Sequence, residues 1–195
     1  MSKNVLILVG PICAGKGEVG KILQSQFGYA FYSTSDTLRK IVQEIYGNTD
    51  RKNMETHANH LRKTIGYHAL AQLTADLADQ DPSEHIIIDA VRHPGEITYL
   101  RQRYPQTTVL VISASQEIRF QRLKQRNRPG DPQTLAEFIE TDNREMYGTG
   151  ETYAIKYIDC IQMGDYQITN ETTSADLIEN LRKFLQSLSE NKLKN

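Results

Sequence analysis

Residues 5–17 have the sequence VLILVGPICAGKG, and this stretch decides the fold. Its five leading apolar residues predict a buried strand, and the run after them fits the pattern G-x-x-x-x-G-K of a phosphate-binding loop. Gly10 and Gly15 allow the backbone to curl so that successive N–H groups point at one spot. A helix predicted over residues 16–26 adds the positive end of its dipole there. The sequence therefore predicts a strand, a phosphate-binding loop and a helix in succession.

We expect this loop to hold the phosphates of a nucleoside triphosphate, with Lys16 reaching the outer ones. The pattern normally ends in Ser or Thr, whose hydroxyl binds Mg²⁺, but Gly17 stands at that position. The alternative is a glycine-rich turn that binds nothing, and the flanking strand and helix favour the phosphate loop over it. The residues expected to contact the nucleotide are Gly10, Pro11, Ile12, Cys13, Ala14, Gly15, Lys16, Gly17 and Glu18.

Further strands are predicted at residues 29–32, 85–89, 107–112 and 165–169, and helical segments separate them. This alternation is typical of a parallel sheet with right-handed crossovers. The apolar runs lack polar alternation, which indicates that helices cover both faces of the sheet. We therefore expect one α/β domain over residues 1–195, a doubly wound, five-stranded parallel sheet of the P-loop type.

The helices after residue 50 are predicted from caps and periodicity. Residues 54–79 indicate one long helix or two, broken near Gly66, and residues 116–126 a further helix. Asp131 followed by Pro132 predicts a helix start, with the helix running to about residue 146. Another is expected over residues 152–163 and a terminal one over 174–189. Two mobile segments are expected, a helical insertion at about 35–80 and a lid at about 119–150.

Composition excludes several classes of protein. Lys and Arg number 23 and Asp and Glu 24, so the net charge of −1 does not favour nucleic acid or an anionic membrane as the main partner. The two cysteines, Cys13 and Cys160, exclude a disulfide framework or a cysteine-based zinc site. The apolar stretch before Gly10 is too short for a signal peptide or a membrane span. We expect a soluble cytoplasmic protein, and its oligomeric state stays open.

The carboxyl ends of parallel strands gather ligands at one crevice. The phosphate loop, the polar run 33–36 and Asp89 all follow predicted strands and should converge there. A carboxylate at a strand end beside a phosphate loop usually holds Mg²⁺, so we expect Asp89 to be a metal ligand, the alternative being an ordinary strand-end cap. Glu18 could add to the metal site or simply be a first-turn acid favoured by the helix dipole.

Arginines supply the positive charge that phosphoryl transfer requires. Arg92 lies three residues after Asp89, and Arg39 follows the polar run 33–36. Arg126 and Arg128, on the expected lid, are better candidates for the transferred phosphate than Arg119 and Arg122, which could equally form a solvated helix face. Arg144 is expected to contact substrate. His57 and His60 could share a metal, but exposed histidines are the favoured interpretation.

The sequence resembles adenylate kinases and other nucleoside monophosphate kinases. Residues 10–17 are similar to their phosphate loop, which also carries Gly after the lysine, and residues 33–39 (STSDTLR) are similar to their Ser-Thr-Gly-Asp-Met-Leu-Arg segment. Residues 89–92 (DAVR) look like their Asp-Gly-Phe-Pro-Arg segment, shortened by one residue. The resemblance implies that Thr34 contacts the acceptor, Arg39 binds its phosphate, Asp89 lies at Mg²⁺ and Arg92 binds a transferred or acceptor phosphate.

Other segments resemble a dephospho-CoA-kinase-like branch of nucleotide kinases. Residues 89–96 and 126–132 look closer to that branch, and Asn170 lies in a segment similar to the strand and loop beside the donor adenine in dephospho-CoA kinases. Glu18 departs from adenylate kinases, which carry Thr there, and the lid is short, without zinc-binding cysteines.

Three functions follow from these observations. The favoured one is a kinase that moves the γ-phosphate of ATP·Mg²⁺ to a small-molecule nucleotide, most simply a nucleoside or deoxynucleoside monophosphate. The second is dephospho-CoA kinase, whose hydroxyl acceptor needs a carboxylate such as Asp36 to accept or orient its proton. The third is a nucleotide-gated regulatory protein with slow ATPase activity.

Overall fold

The computed structural model describes residues 3–127, 130–148, 150 and 156–192. Within them the chain forms a parallel sheet in the order β2-β3-β1-β4-β5. The strands are β1 (Asn4–Val9), β2 (Ala30–Ser33), β3 (His85–Asp89), β4 (Gln106–Ser113) and β5 (Tyr166–Thr169). The phosphate-loop strand β1 is central, and the sheet order reverses beside it. The predicted five-stranded parallel sheet is confirmed.

Helices connect the strands and flank the sheet. They are α1 (Lys16–Phe27), α2 (Thr34–Tyr46), α3 (Arg51–Thr64), α4 (Ala69–Ala78), α5 (Pro94–Arg103), α6 (Gln116–Arg126), α7 (Leu135–Tyr147), α8 (Tyr157–Gln162) and α9 (Ser174–Lys192). The segment after residue 50 forms two helices, with Gly66 in the connection at a φ of +127° that favours glycine. None of these helices, within the described ranges, has the length and apolar character needed to cross a membrane.

Alternate residues of β1 enter two hydrophobic cores. Val5, Ile7 and Val9 pack on one face with residues of α4, α5 and α8, whereas Leu6 and Leu8 pack on the other with α1 and α9. Each fully buried isoleucine of β3 contributes roughly 1.5–3 kcal/mol relative to an exposed one. The expected covering of both sheet faces by helices is confirmed.

A smaller cluster joins helices α2, α3 and α4 at the edge of the sheet. Leu38, Val42, Ala58 and Leu70 are buried together there, with Met54 and Leu61 packed against them. Helix α2 begins at Thr34 because the Ser33 side chain accepts a hydrogen bond from the N–H of Asp36. These helices follow the strand β2 and so reach the crevice at the carboxyl end of the sheet.

The predicted start of the helix after residue 130 is wrong. Helix α7 begins at Leu135, because Thr134 and Glu137 form a reciprocal capping box. The Glu137 carboxylate also accepts a hydrogen bond of 2.8 Å from the N–H of Gln133. Asp131 instead binds Arg126. Helix α8 begins at Tyr157, and residues 152–155 of the helix predicted over 152–163 lie outside the described residues.

Candidate active site

The phosphate loop has the curled backbone that its glycines predict. Gly10 has a φ of +147°, and a Cβ atom there would lie 2.1 Å from the backbone oxygen of Ile112. Gly15 has a φ of +103°, and its Cβ would lie 2.0 Å from Nδ2 of Asn170. Cys13 also has a positive φ, 59°. No side chain beyond hydrogen fits at the two glycines without a shift of their neighbours, so the loop requires glycine for packing as well as conformation.

Lys16 lies against this loop. Its Nζ donates hydrogen bonds to the backbone oxygens of Gly10, at 2.7 Å, and Pro11, at 3.0 Å. Burial lowers the pKa of Lys16, and the nearby Asp89 carboxylate opposes that effect. The amine is therefore held at the base of the crevice, next to the backbone that would hold phosphates.

Side chains from α6 and from the end of β5 support the loop backbone. Arg122 donates to the Ala14 oxygen at 3.3 Å and to the Asn170 oxygen at 2.9 Å. The Asn170 side-chain amide also donates to the Ala14 oxygen, at 3.0 Å. Arg122 and Asn170 thus join the phosphate loop to the end of β5. The placement of Asn170 beside a donor base stays a prediction, because in this structure its buried amide contacts the loop.

Arg119 forms a buried ion pair with Asp142 of α7. Both residues are 5% exposed, and Nη2 of Arg119 donates to Oδ2 of Asp142 at 2.7 Å. Arg119 also donates to the backbone oxygens of Ile12, at 3.3 Å, and Ala114, at 3.0 Å. Of the two interpretations of the sequence, a solvated helix face is wrong for Arg119, because it links the loop to α7 from a buried position.

Replacing Asp142 by asparagine is expected to destabilise the fold by about 3–5 kcal/mol, because it leaves the Arg119 guanidinium buried without its counter-charge. Urea denaturation gives the change in the free energy of unfolding. Glu140→Gln, on an exposed residue of the same helix, is the matched control and should change it by less than about 0.5 kcal/mol. A loss below about 1 kcal/mol for Asp142→Asn would show that the pair contributes little.

Asp89 ends β3 beside Lys16. Its Oδ1 is buried and has no hydrogen-bond partner among the described residues. Burial raises the pKa of Asp89, while Lys16 and the N–H of Ala90 act in the opposite direction. Ala90 follows at a φ of +62°, a conformation that is uncommon for a residue with a side chain. The strand end therefore places a buried carboxylate within electrostatic reach of Lys16, and one of its oxygens has no partner in the described part of the chain.

This oxygen fits a magnesium ion. Mg²⁺ is usually bound in proteins through one or two carboxylates together with substrate phosphates and water. Asp89 supplies a single buried carboxylate oxygen that lacks a partner within the described part of the chain. No group of three or more His, Cys, Asp or Glu residues in the described ranges could hold a metal by itself. Of the two histidines expected to be exposed, His60 is exposed, but for His57 the prediction is wrong, because its side chain is buried.

Arg92 follows the strand end at Asp89 by three residues, and the ring of Tyr157 in α8 packs against the Arg92 side chain. The Cζ of Arg92 lies 5.9 Å from the centre of the Tyr157 ring, and Nζ of Lys16 lies 5.7 Å from the same centre. The backbone N–H of Arg92 donates to Oε2 of Glu96 at 2.8 Å. Glu96, in the first turn of α5, is 1% exposed and also accepts the N–H of His93. The sequence places Arg92 near Asp89, but the fold adds the ring and the carboxylate that hold it.

His93 caps α5 next to Arg92. Its Nδ1 accepts a hydrogen bond from the N–H of Gly95 at 3.0 Å, and its ring stacks on Tyr67 at 4.2 Å. Burial, followed by the charge of Arg62, lowers the pKa of His93 from its ordinary 6.5 to about 4. The folded protein therefore holds this histidine neutral at pH values where an unfolded chain protonates it.

Lowering the pH from 6.5 to 4 is expected to destabilise the folded state through His93, because the unfolded chain binds more protons in this window. This contribution to stability is complete above pH 6.5 and is lost as the pH falls through about 4. His93→Asn keeps a capping side chain and removes the titrating group. Chemical denaturation at pH 7, 5 and 4 should show that the free energy of unfolding falls less with decreasing pH in the variant than in the wild type. Parallel pH dependences for variant and wild type would contradict the assignment.

The acceptor residues expected from the resemblance lie at the first turn of α2. Thr34 is 1% exposed, and its hydroxyl donates to the backbone oxygen of Ala90 at 2.8 Å. Asp36 and Arg39 are exposed and form an ion pair with each other. Asp36 is close enough to Asp89 for its charge to act on the pKa of that carboxyl. Thr34 thus ties α2 to the strand end, while Asp36 and Arg39 face the open side.

The expected lid residues have separate positions. Arg126 makes two hydrogen bonds to Asp131, of 2.6 and 3.0 Å, and its charge acts on Cys13 of the phosphate loop. Arg144 is exposed on the last turn of α7, and Arg128 lies outside the described residues.

Glu18, which was considered as an addition to the metal site, accepts a hydrogen bond from the Ser174 hydroxyl at 2.7 Å. This bond directs its carboxylate to α9.

Sequence reasoning missed three residues of the crevice: Tyr157, Glu96 and Glu145. The Glu145 carboxylate of α7 is 15% exposed, lies 3.4 Å from Arg51 and acts electrostatically on both Lys16 and Arg92. Glu96 lies within residues 89–96, to which the resemblance gave no role for this glutamate, and Tyr157 and Glu145 belong to helices that no recognised motif marks. Pro94 at the first helical position and Glu96 two residues later carried a signal for a capped helix start.

Comparison with known proteins identifies the family. A family model described as an AAA domain matches residues 9–139, more than half of the chain. The chain belongs to this AAA-domain family. Among the relatives of this chain, a UPF0200 protein of Methanothermobacter thermautotrophicus is 30% identical over 194 residues, which cover 97% of this chain and 93% of the relative. The matched region includes the phosphate loop, Asp89 and Arg92.

Solved structures with the same fold include kinases. The shikimate kinase from Acinetobacter baumannii in complex with shikimate superposes with a TM-score of 0.58 and 16% identity, covering 95% of this chain and 94% of that one. A gluconokinase from Sinorhizobium meliloti 1021 gives a TM-score of 0.57 and 16% identity, covering 97% and 95%. This AAA-domain protein therefore has the fold of P-loop kinases, as its resemblance to nucleotide kinases implied.

Proposed function

We propose that the protein is an ATP-dependent kinase whose acceptor is the phosphate of a nucleoside or deoxynucleoside monophosphate. One observation carries this proposal. Lys16 of the phosphate loop and Arg92 of the segment after β3 contact the same tyrosine ring. Beside them lies Asp89, whose Oδ1 has no partner among the described residues. Phosphoryl transfer needs positive charge on both sides of the moving group and little covalent chemistry from the protein.

In this mechanism the residues of the chain bind and orient. The phosphate loop and Lys16 hold the β- and γ-phosphates of ATP, and Arg92 and Arg39 hold the acceptor phosphate. An acceptor oxygen attacks the γ-phosphorus as the bond to the β-bridging oxygen breaks, and ADP leaves with that electron pair. A monophosphate oxyanion carries no proton to remove, so no general base is required. Arg126 and, from the sequence, Arg128 and Arg144 are proposed to add positive charge from the lid.

Magnesium is proposed to bind at Asp89, with the remaining positions on ATP phosphates and water. When bound, it neutralises charge on the β- and γ-phosphates. The contribution of the chain is the buried Asp89 carboxylate, which Lys16 and the N–H of Ala90 keep closer to the ionised form than burial alone would. The nucleotide itself is proposed to contact residues 10–18, with Asn170 at the base of the loop.

A specific observation keeps a hydroxyl acceptor as the second candidate. Asp36 is exposed at the open side of the crevice and is near Asp89, where it could accept the proton of an attacking hydroxyl. In that reaction, the proton of a ribose hydroxyl, as in dephospho-CoA, would pass to Asp36 as the new phosphate ester forms.

The test is phosphate transfer from ATP·Mg²⁺ across ribo- and deoxyribonucleoside monophosphates and dephospho-CoA. Transfer to one monophosphate, retained by Asp36→Asn within about tenfold, supports the proposed function. Transfer to dephospho-CoA alone, reduced about 10²–10⁴-fold in Asp36→Asn, supports the hydroxyl acceptor. Hydrolysis of ATP without any acceptor, and no transfer, would overturn both and favour a nucleotide-gated regulator.

A further inference from the structure

Tyr157 lies between the phosphate loop and the segment that follows β3. It is the first residue of α8 and is 3% exposed. One cation on its ring comes from the phosphate loop and the other from the segment after β3, at 5.7 Å and 5.9 Å from the ring centre. Both distances fall within the roughly 6 Å over which a cation is attracted to an aromatic face. A single ring thus contacts the donor-side and the acceptor-side cation.

The two cations repel each other. The charge of Arg92 contributes, after burial, to the lowered pKa of Lys16. The carboxylates of Asp89 and Glu145 act on both cations and partly offset this repulsion, but a carboxylate also repels the phosphates of a substrate. The face of an aromatic ring attracts cations through its quadrupole and carries no net charge. A tyrosine ring can therefore hold both cations in place and leave their charge available to phosphates.

The surroundings of Tyr157 fix the ring. The backbone N–H of Lys156 donates to the backbone oxygen of Arg92 at 3.3 Å. Cys160, one turn after Tyr157, is fully buried in the core beneath β1 and α5. The carboxylates of Asp89 and Glu145 also act on Tyr157, so the ring lies among charged groups from three other elements. The start of α8 is therefore tied to the segment that carries Arg92, and Tyr157 is buried between that segment and the core.

We propose that Tyr157 is a positioning residue for phosphoryl transfer, whose ring aligns Lys16 and Arg92 on opposite sides of the moving phosphoryl group. The inference rests on the proposed function, since it assigns to the ring the spacing of the two cations that this reaction uses. The hydroxyl of Tyr157 has no part in it. The ring must act through the negative electrostatic potential of its face, and the shape of the ring alone is not sufficient to align the two cations.

The experiment replaces Tyr157 by phenylalanine and by phenylalanines with increasing numbers of ring fluorines. Fluorine keeps the shape of the ring and progressively removes the negative potential of its face. Tyr157→Phe is expected to retain kcat/KM within about twofold, and the most fluorinated ring to lose roughly tenfold to thirtyfold, the effect of a desolvated cation–π contact. Tyr157→Leu should lose at least as much. Thermal unfolding of the fluorinated proteins is expected to match that of Tyr157→Phe.

Tyr99 provides the matched control. Arg103 lies 5.9 Å from the centre of its ring, nearly the geometry at Tyr157, but on α5 away from the phosphate loop. The same fluorinated residues at position 99 should leave transfer unchanged. Equal activity for phenylalanine and its fluorinated analogues at position 157 would overturn the proposal, and so would full activity of Tyr157→Leu.

A second measurement separates this inference from the proposed function. Binding of the non-hydrolysable analogue AMP-PNP with Mg²⁺ requires no acceptor. If wild-type protein transfers phosphate to no acceptor, the proposed function fails. Fluorination should still weaken AMP-PNP binding stepwise if the ring positions Lys16. A dissociation constant that is unchanged across the series, together with unchanged transfer, would leave Tyr157 a packing residue only.

Discussion

Replacing Lys16 by alanine is expected to reduce phosphate transfer from ATP by about 10³-fold, with most of the loss in kcat. A single preorganised donor that stabilises transition-state charge typically contributes a factor of about 10²–10³, and Lys16 carries a full charge in a buried position. Its amine donates hydrogen bonds to two loop oxygens, those of Gly10 and Pro11. These bonds must be exchanged for phosphate oxygens, so the amine is expected to contribute mainly when the triphosphate is bound.

The thermal stability of Lys16→Ala should equal or exceed that of the wild type. Burial lowers the pKa of Lys16, which means that the surroundings disfavour its charged form in the absence of phosphates. Lys21→Ala, on an exposed residue of the same helix α1, is the matched control and should keep full activity. Transfer by Lys16→Ala within tenfold of wild type would remove the lysine from the proposed mechanism. The assay follows phosphorylated acceptor at saturating ATP·Mg²⁺, with unfolding temperatures measured on the same samples.

The sequence predicted the residues of this site whose positions follow from local backbone structure, namely the loop glycines and the carboxylate at a strand end. Gly10 and Gly15 are required because a Cβ atom would lie about 2 Å from a neighbouring atom, and glycine spacing reveals such a requirement directly. The position of Asp89 at a strand end was predictable, because the three isoleucines before it form a short apolar run that is typical of a buried strand. Both signals are local in the sequence. The sheet order then brings them together through β1 and β3 pairing side by side.

The parts that escaped prediction depend on contacts between distant segments. Tyr157 lies 141 positions after Lys16 in the sequence, and no spacing rule relates an aromatic residue in a short helix to a phosphate loop. The role of Arg119 was ambiguous for the same reason, since its partner Asp142 belongs to another helix. The helix start at Leu135 was misplaced because two capping signals compete within four residues. There the reciprocal bonds of Thr134 and Glu137 prevailed over Pro132.

The folded chain also changes how the basic residues are interpreted. The sequence presents the arginines of residues 119–128 as one cluster, but the described ones have different partners. Arg119 and Arg122 support the phosphate loop through its carbonyl oxygens, and Arg126 binds Asp131. Lys16 and Arg92 share a ring. Charge alone therefore predicted that the crevice is basic, whereas hydrogen-bond partners determine which cations could move onto a substrate.

Replacing Asp89 by asparagine is expected to reduce magnesium-dependent transfer by about 10²-fold or more and to raise the Mg²⁺ concentration needed for half-maximal rate. The substitution keeps the size of the side chain and an oxygen that can accept the N–H of Ala90, but it removes the negative charge. Oδ1 of Asp89 is buried without a partner in the described part of the chain, a state that costs free energy unless a cation or donor arrives. Mg²⁺ with its phosphates supplies that cation.

Stability distinguishes this metal role from a strand-end cap. Because burial raises the pKa of Asp89, the ionised carboxylate is disfavoured in the substrate-free protein, and Asp89→Asn should unfold at the same temperature or higher. A cap would behave in the opposite way, since its loss lowers the unfolding temperature whether or not Mg²⁺ is present. Asp76→Asn, on an exposed carboxylate of α4, controls for the loss of one negative charge. Unchanged Mg²⁺ dependence in Asp89→Asn, with lowered stability, would assign Asp89 to the cap and leave the ion to the phosphates alone.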